Sequence, residues 1–312
     1  MSISKEIERL QQAKKDIGDA IVRKGGSVSG TIDTYAKSVM ALGDVSFRTA
    51  IDIVNKSDAK NVDLTMISPK NETSFQNLFR NNTNLVHINV SNWDTSNITS
   101  LAFTFANIKN LESVDFAEWD VSNVTNFFGL FDECYKLNTI DVSKWDTSSA
   151  TNMEWMFSRN NFKTLDVSNF NTSKVTNMHA MFIGNSSLTQ LDVSNFDTSN
   201  VLNINTMFAY MNVCEELNIS GLNLTKVTSI NGTFKGSSFK VIRCDGLQLP
   251  NIDMRDIGLN TSTALTVDSI VGLLNALPQS DKGYSFQIGS DNIAKLSDEQ
   301  KAIATNKGWT LI

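Results

Sequence analysis

Along most of this chain the apolar positions recur at a long fixed interval. Phe79, Phe105, Phe131, Phe157, Phe182, Phe208 and Phe234 are spaced by 26 residues, with a single step of 25 at Phe157–Phe182. A second column, Trp93, Trp119, Trp145, Phe170, Phe196, Leu222 and Leu247, keeps the same pace with steps of 26 or 25. Two columns in step over seven units define a repeat, and a period of this size is the mark of a solenoid, in which each unit buries its apolar surface against the next.

Within a unit, short-range patterning predicts the local shape. In Leu165-Asp166-Val167-Ser168 apolar and polar residues alternate, the period of a half-buried strand. Leu165 and Val167 then point inward, and Thr164, Asp166 and Ser168 line the outer face. The Asn171-Thr172-Ser173 triplet that follows is turn chemistry, with short polar side chains bonding the backbone. Thr176 is placed to cap a short helical turn that carries Met178, Met181 and Phe182 on one face. Stacked strands about 4.8 Å apart predict a continuous parallel sheet along one side of a rod.

The strings LDVSNFNTSKVTNMHAMF (165–182) and IDVSKWDTSSATNMEWMF (140–157) resemble the BspA-like leucine-rich-repeat family of bacterial surface and phage proteins. The match spans residues 73–254. It implies an α/β solenoid, a leucine-rich-repeat-like rod with a parallel sheet on one side and a surface used for binding. Asn89 in place of the strand Asp, Ala117 in place of Ser, and Arg243 with Pro250 mark drift near the ends.

The flanks follow other rules. Residues 1–43 place Ile3, Ile7, Leu10, Ile17 and Ile21 at helical spacing before Gly25-Gly26, and a second helix is expected from Thr31. Two readings are open for this module: a hairpin capping the solenoid, or an anchoring and oligomerising unit. Residues 44–72 form an entry cap, with Ile51, Ile53 and Val54 suggesting a strand and Val62 and Leu64 another. Residues 255–312 are expected to form a C-terminal capping repeat. Its signals are a helix at Ile270, Leu273, Leu274 and Leu277, alternation at Tyr284, Phe286 and Ile288, a capping box at Ser297–Gln300, and a closing strand from Trp309.

Charge and candidate chemistry narrow the function. The formal charge of −6 argues against a nucleic-acid partner, and no apolar run is long enough to span a membrane. Cys134, Cys214 and Cys244 have no metal-type spacing, and Cys214 and Cys244 take apolar repeat positions. His87 and His179 fall on different faces several coils apart, and no catalytic, cofactor or metal motif appears. The chain is therefore expected to be no enzyme and to need no cofactor.

The candidate contact surface is the outer strand face: His87, Asp115, Thr139, Asp141, Thr164, Asp166, Gln190 and Asp192. Its Asp column is an electrostatic oddity, since stacked carboxylates repel by about 1 kcal/mol per pair at water-like dielectric. Either Ser and Thr hydroxyls and turn amides satisfy each carboxylate, or the column holds a cation or a cationic partner.

The N-terminus starts in charged, amphipathic sequence without a secretory h-region. Both flanks resemble segments of phage structural proteins. Together these imply a structural or adhesive bacteriophage virion protein, made in the host cytoplasm and homo-oligomeric. It would dock other virion proteins through its N-terminal helices and bind a host-surface protein or glycan. The alternative is a cell-surface adhesin of the BspA type.

Overall fold

The computed structural model describes residues 46–312. The helical module expected over 1–43 lies outside the described residues.

The entry segment begins with a helix where a strand was expected. Phe47, Ala50, Ile51 and Val54 stand at i, i+3, i+4 and i+7, and Ser46 accepts a hydrogen bond from the Thr49 amide, so α1 (Phe47–Lys56) is specified from both ends of its first turn. It lays Phe47 against Phe75 (5.8 Å) and Trp93 (5.0 Å), closing the end of the core. The second expectation for this segment holds. β1 (Asn61–Asp63) pairs in parallel with β2 (His87–Asn89), which pairs with β3 (Ser113–Asp115). The entry segment therefore contributes a coil of its own.

The continuous sheet predicted for the strand face is interrupted. A second three-stranded parallel sheet joins β4 (Gln190–Asp192), β5 (Glu216–Asn218) and β6 (Val241–Arg243). Between β3 and β4, the coils carrying Ile140–Val142 and Leu165–Val167 still bury Val142 and Val167 but form no strands. The physical reason lies in the outer column. β1–β2–β3 places Asp63, Asn89 and Asp115 side by side, and β4–β5–β6 places Asp192, Asn218 and Arg243. Each of those steps sets a carboxylate against an amide, or an amide against a guanidinium. The three steps without a ladder, Asp115–Asp141, Asp141–Asp166 and Asp166–Asp192, each set carboxylate against carboxylate. Like charges directly opposite destabilise a strand pair, and here the pairing yields to the repulsion.

The expected helical turn is also absent, and a second ladder takes its place. The amides of Phe75, Asn77, Phe79 and Asn81 donate to the carbonyls of Ser100, Ala102, Thr104 and Ala106 in the next coil, each at 2.9 Å. The residues between them close i→i−3 turns, such as Leu78 to Phe75 O at 3.0 Å. This alternation needs left-handed backbone at two positions per coil. One column is Asn77, Phe103, Gly129, Trp155, Ala180, Thr206 and Gly232; the other is Asn81, Asn107, Glu133, Arg159, Gly184, Tyr210 and Gly236. A helix would send all these amides back along the chain. The left-handed residues turn every second one toward the neighbouring coil, which satisfies the backbone between coils. Thr176 caps nothing here: its hydroxyl donates to Thr151 O, and Asn177 Oδ1 accepts the His179 amide.

Between the two faces lies the core. Phe105 and Phe131 stack at 5.3 Å with ring planes 5° apart, and Phe182 and Phe208 at 6.0 Å and 4°. Trp93 and Trp119 form a parallel stack at 6.2 Å, each indole N–H donating to a carbonyl of the preceding coil. Each 25-residue coil loses its residue just after the Phe column, and there Phe162 or Phe239 takes the place of the aliphatic or Cys residue of the other coils. The larger ring fills the space that the shorter bend leaves. Buried Thr95, Thr147, Thr172 and Thr198 each donate a hydroxyl to a carbonyl one coil on. The turn triplet thus serves the stack as well as the bend.

The C-terminal cap exchanges the two faces. α2 (Val267–Ala276) starts where the strand column would continue, with the Thr266 amide on Lys240 O. β7 (Ser285–Phe286) pairs with β8 (Thr310–Leu311) and bridges Met254 on the side of the turn ladder. Short α3 (Ser290–Ile293) and α4 (Asp298–Thr305) complete the cap, α4 with the expected Ser297–Gln300 capping box. Lys307 closes the end of α2, its ammonium donating to the carbonyls of Leu274, Asn275 and Leu277. With α2 in place of a strand, the strand column does not end in an open ladder on that side.

Gly258 is where the solenoid hands over to the cap. It has φ +90°, and a Cβ there would stand 2.6 Å from the Lys235 amide nitrogen. Gly258→Ala is expected to cost about 3 kcal/mol of stability by urea unfolding, from backbone strain and overpacking together. A loss below about 1 kcal/mol would show that the cap adjusts freely to the last coil.

Candidate functional site

Where the strand ladder opens, the outer face holds a cleft of about 560 Å³. Asp141, Thr164, Asp166, Gln190 and Asp192 line it, with Ser143, Ser168, Ser194, Asn195, Glu216 and Asn218 around them and Ile140, Leu165, Val167 and Leu191 as its floor. Of the residues singled out from the sequence, these five come together. Thr139 lies on the same face outside the cleft lining. His87 and Asp115 belong to the first sheet, His87 paired through Nδ1 with Ser113 Oγ at 2.8 Å. Among the residues not selected, Glu216 sits in the same variable column as Gln190 and Thr164. The Ser residues are legible only once each is seen to be the partner of the Asp two positions before it.

Each aspartate in the cleft is held by its own turn, while Glu216 pairs with Arg243. Asp141 Oδ1 accepts the Ser143 amide at 3.1 Å and its hydroxyl at 2.6 Å. Asp192 does the same with Ser194, at 2.9 and 2.7 Å, and the Asp166 carboxylate accepts the Ser168 amide at 2.9 Å. Hydrogen bonds from the Ser143 and Ser168 hydroxyls and amides hold Asp141 and Asp166 below the usual carboxylate range; the neighbouring Asp141 charge opposes this at Asp166. At Asp192, burial pushes upward, but the bonds from Ser194 and Asn218 outweigh it. These groups bind protons less readily folded than unfolded. Their contribution to stability is present above the ordinary carboxylate range and is lost as pH falls through the lowered values.

Asn218 shows how the column closes. Its Nδ2 donates to Asp192 Oδ2 at 3.0 Å while its Oδ1 keeps the turn bond to the Ser220 amide. An amide thus makes the same turn as Asp and adds a bond to its neighbour where Asp would add a repulsion.

Other candidate chemistry is dispersed. Among the described residues no group of three or more His, Cys, Asp or Glu side chains is placed to hold a metal ion. Cys134, Cys214 and Cys244 are free and buried. Burial pushes all three thiols up, Cys214 to about 12 and Cys244 to about 11, so none is a ready nucleophile. His179 lies on the turn face with Nδ1 2.9 Å from Asn205 O, on the opposite ladder from His87. No helix among the described residues is long and apolar enough to cross a membrane.

Two measurements test this electrostatic account. Asp166→Asn keeps the turn acceptor and removes two like-charge contacts, so it is expected to raise stability by about 0.5–1 kcal/mol by thermal unfolding; a loss would refute repulsion as the cause of the open ladder. With Asp141, Asp166 and Asp192 each satisfied by its own Ser, EDTA is expected to leave the melting temperature unchanged. A drop of many degrees would reveal a structural cation.

A family model described as "Mycoplasma protein of unknown function, DUF285" matches residues 73–163 and again 139–242. No curated protein sequence matches the chain. Among solved structures, the Leptospira interrogans LRR protein LIC12759 is 13% identical, over 76% of this chain and 73% of that one, with a TM-score of 0.16. The functional domain of InlJ from Listeria monocytogenes is 14% identical over 73% and 67%, with a TM-score of 0.14. The family model covers more than half of the sequence, and its two overlapping matches follow the run of repeats: the chain belongs to the DUF285 family.

Proposed function

We propose that this protein is a non-enzymatic structural and adhesive component whose strand face contacts another protein, and that its setting is a bacteriophage virion. The observation that carries the binding role is the cleft of the open ladder, where Thr164, Gln190 and Glu216 change from coil to coil beside a constant row of Asp and Ser. Solenoids use such surfaces for recognition, because the stack holds side chains from many units in fixed register. The non-enzymatic reading is supported by the carboxylates themselves. Asp141, Asp166 and Asp192 are all shifted downward, which favours permanent charge over the donation of a proton. A row of fixed negative charge also suits a partner carrying a basic patch.

The virion setting rests on the resemblance of both flanks to phage structural proteins. The N-terminal segment would then dock on neighbouring virion proteins and hold the chain in a homo-oligomer. A second reading, a bacterial cell-surface adhesin of the BspA type, is favoured by the bacterial source named in the family description.

The test is to fractionate a lysate of the strain that encodes the chain into purified particles and cell envelope, and to quantify the protein by mass spectrometry. Enrichment in particles is expected, with an oligomeric mass by light scattering of the full chain. Recovery in the envelope alone would replace the virion with the cell surface. A monomer would remove the oligomer.

A further inference from the structure

On the turn face, away from the cleft, four rings stand in one continuous row. Phe103 and Phe128 have centroids 4.4 Å apart, Phe128 and Trp155 5.5 Å, and Trp155 and His179 6.0 Å. Arg80 closes one end, its guanidinium 4.1 Å from the Phe103 centroid. All four rings are half-buried. Their planes tilt by 59°, 37° and 45° from one to the next, so each leaves part of a face uncovered.

No single repeat column contains this row. Phe103 and Trp155 belong to the first left-handed column, Phe128 and His179 to the position just before it. Where one column carries a ring the other carries something else, and Gly129 leaves room for the ring of the preceding coil. A Cβ at Gly129 would stand 2.5 Å from Phe103 Cε1. The seats are therefore built into the backbone.

We propose that this row is a binding site for a neutral glycan chain. Three features point to that chemistry. The rings advance in steps of the same order as the sugar repeat of an extended polysaccharide. The row is one ring wide, too narrow for the flat buried core of a standard protein interface. Alongside it runs a second row, Asn126, Asn152, Asn177 and Asn203, bridged coil to coil. The Oδ1 of each accepts a turn amide, at 3.0 Å. Asn177 Nδ2 donates to Glu154 Oε2 at 2.7 Å, while the Nδ2 groups of Asn126, Asn152 and Asn203 have no protein partner among the described residues, which leaves three fixed donors beside the rings. Ring faces with a few placed amides suit a sugar, which offers C–H patches and hydroxyls at once. A phosphate backbone would need more cations than Arg80 in a chain of net charge −6.

The chain carries its own reporter. Trp93, Trp119, Trp145 and Trp309 are buried, at 1–6% exposure, and Trp155 alone among the tryptophans is half-open. The full-length protein is titrated with cellohexaose, laminarihexaose, mannohexaose and chitohexaose, followed by tryptophan fluorescence and by calorimetry. At least one is expected to bind with a change in fluorescence. Trp155→Asn copies Asn77 of the same column, and Phe128→Ala copies Ala102, so both substitutions suit the backbone. Each is expected to weaken binding about tenfold with the melting temperature nearly unchanged. The proposal is overturned if none of the four sugars binds at millimolar concentration, or if the two variants bind as well as the parent. It is equally overturned if Asp166→Asn in the strand-face cleft weakens binding as much as they do. Because the particle experiment reads location and this one reads sugar affinity, each can fail without the other.

Discussion

Each coil of this protein closes only against the next one. Every second backbone amide of the turn face, and the paired amides of the strand face, find their acceptors one coil away, so a coil taken alone would leave them without partners. The alternating left-handed residues make this possible, and they keep their columns through coils of 26 and of 25 residues. Gly fills some of these positions at no steric cost, but Phe103, Trp155 and Thr206 fill others, and strain at a non-glycine left-handed residue is of the order of 1 kcal/mol or more. It persists because bonds on both flanking coils over-determine the conformation.

Against that continuous ladder, the strand face is the adjustable side. Its pairing survives where Asn or Arg interrupts the Asp column and is lost at every Asp–Asp step. The coils stay stacked there because the turn ladder and the aromatic core hold them. Removing three strand pairings opens a cleft without breaking the rod. A charge pattern along one column thus shapes a surface, which is unusual only in that the backbone, and not the side chains alone, responds to it.

The two faces consequently present different chemistry. One is acidic and concave, with carboxylates held ionised by their own serines. The other carries a row of aromatic rings with amides fixed beside them, Arg80 at one end and the Glu154 carboxylate within the row. The three cysteines are buried in the core between them. The proposed strand-face contact and the proposed glycan row would give one rod two recognition surfaces of opposite character.

The sequence by itself determined the repeat, the inward columns, the Asp-Thr-Ser turns and the helix, capping box and closing strand of the C-terminal segment. These follow from periodic burial and from local capping chemistry, which leave their mark at fixed spacing: Phe79 to Phe234, Val142 and Val167, Ser297 with Gln300. It also marked the strand face, and five of its eight chosen residues share the cleft. Only the tertiary structure decided the rest. Met178, Met181 and Phe182 have helical spacing, yet the backbone there bonds between coils, because apolar spacing records which side chains are inside and not where the amides point. Ile51 and Val54 suggested a strand until Phe47 and Ala50 completed a helical face against Phe75. The row from Phe103 to His179 was hidden because it steps between two columns at spacings of 25, 27 and 24 residues, and only the stacking of coils turns those unequal intervals into one line.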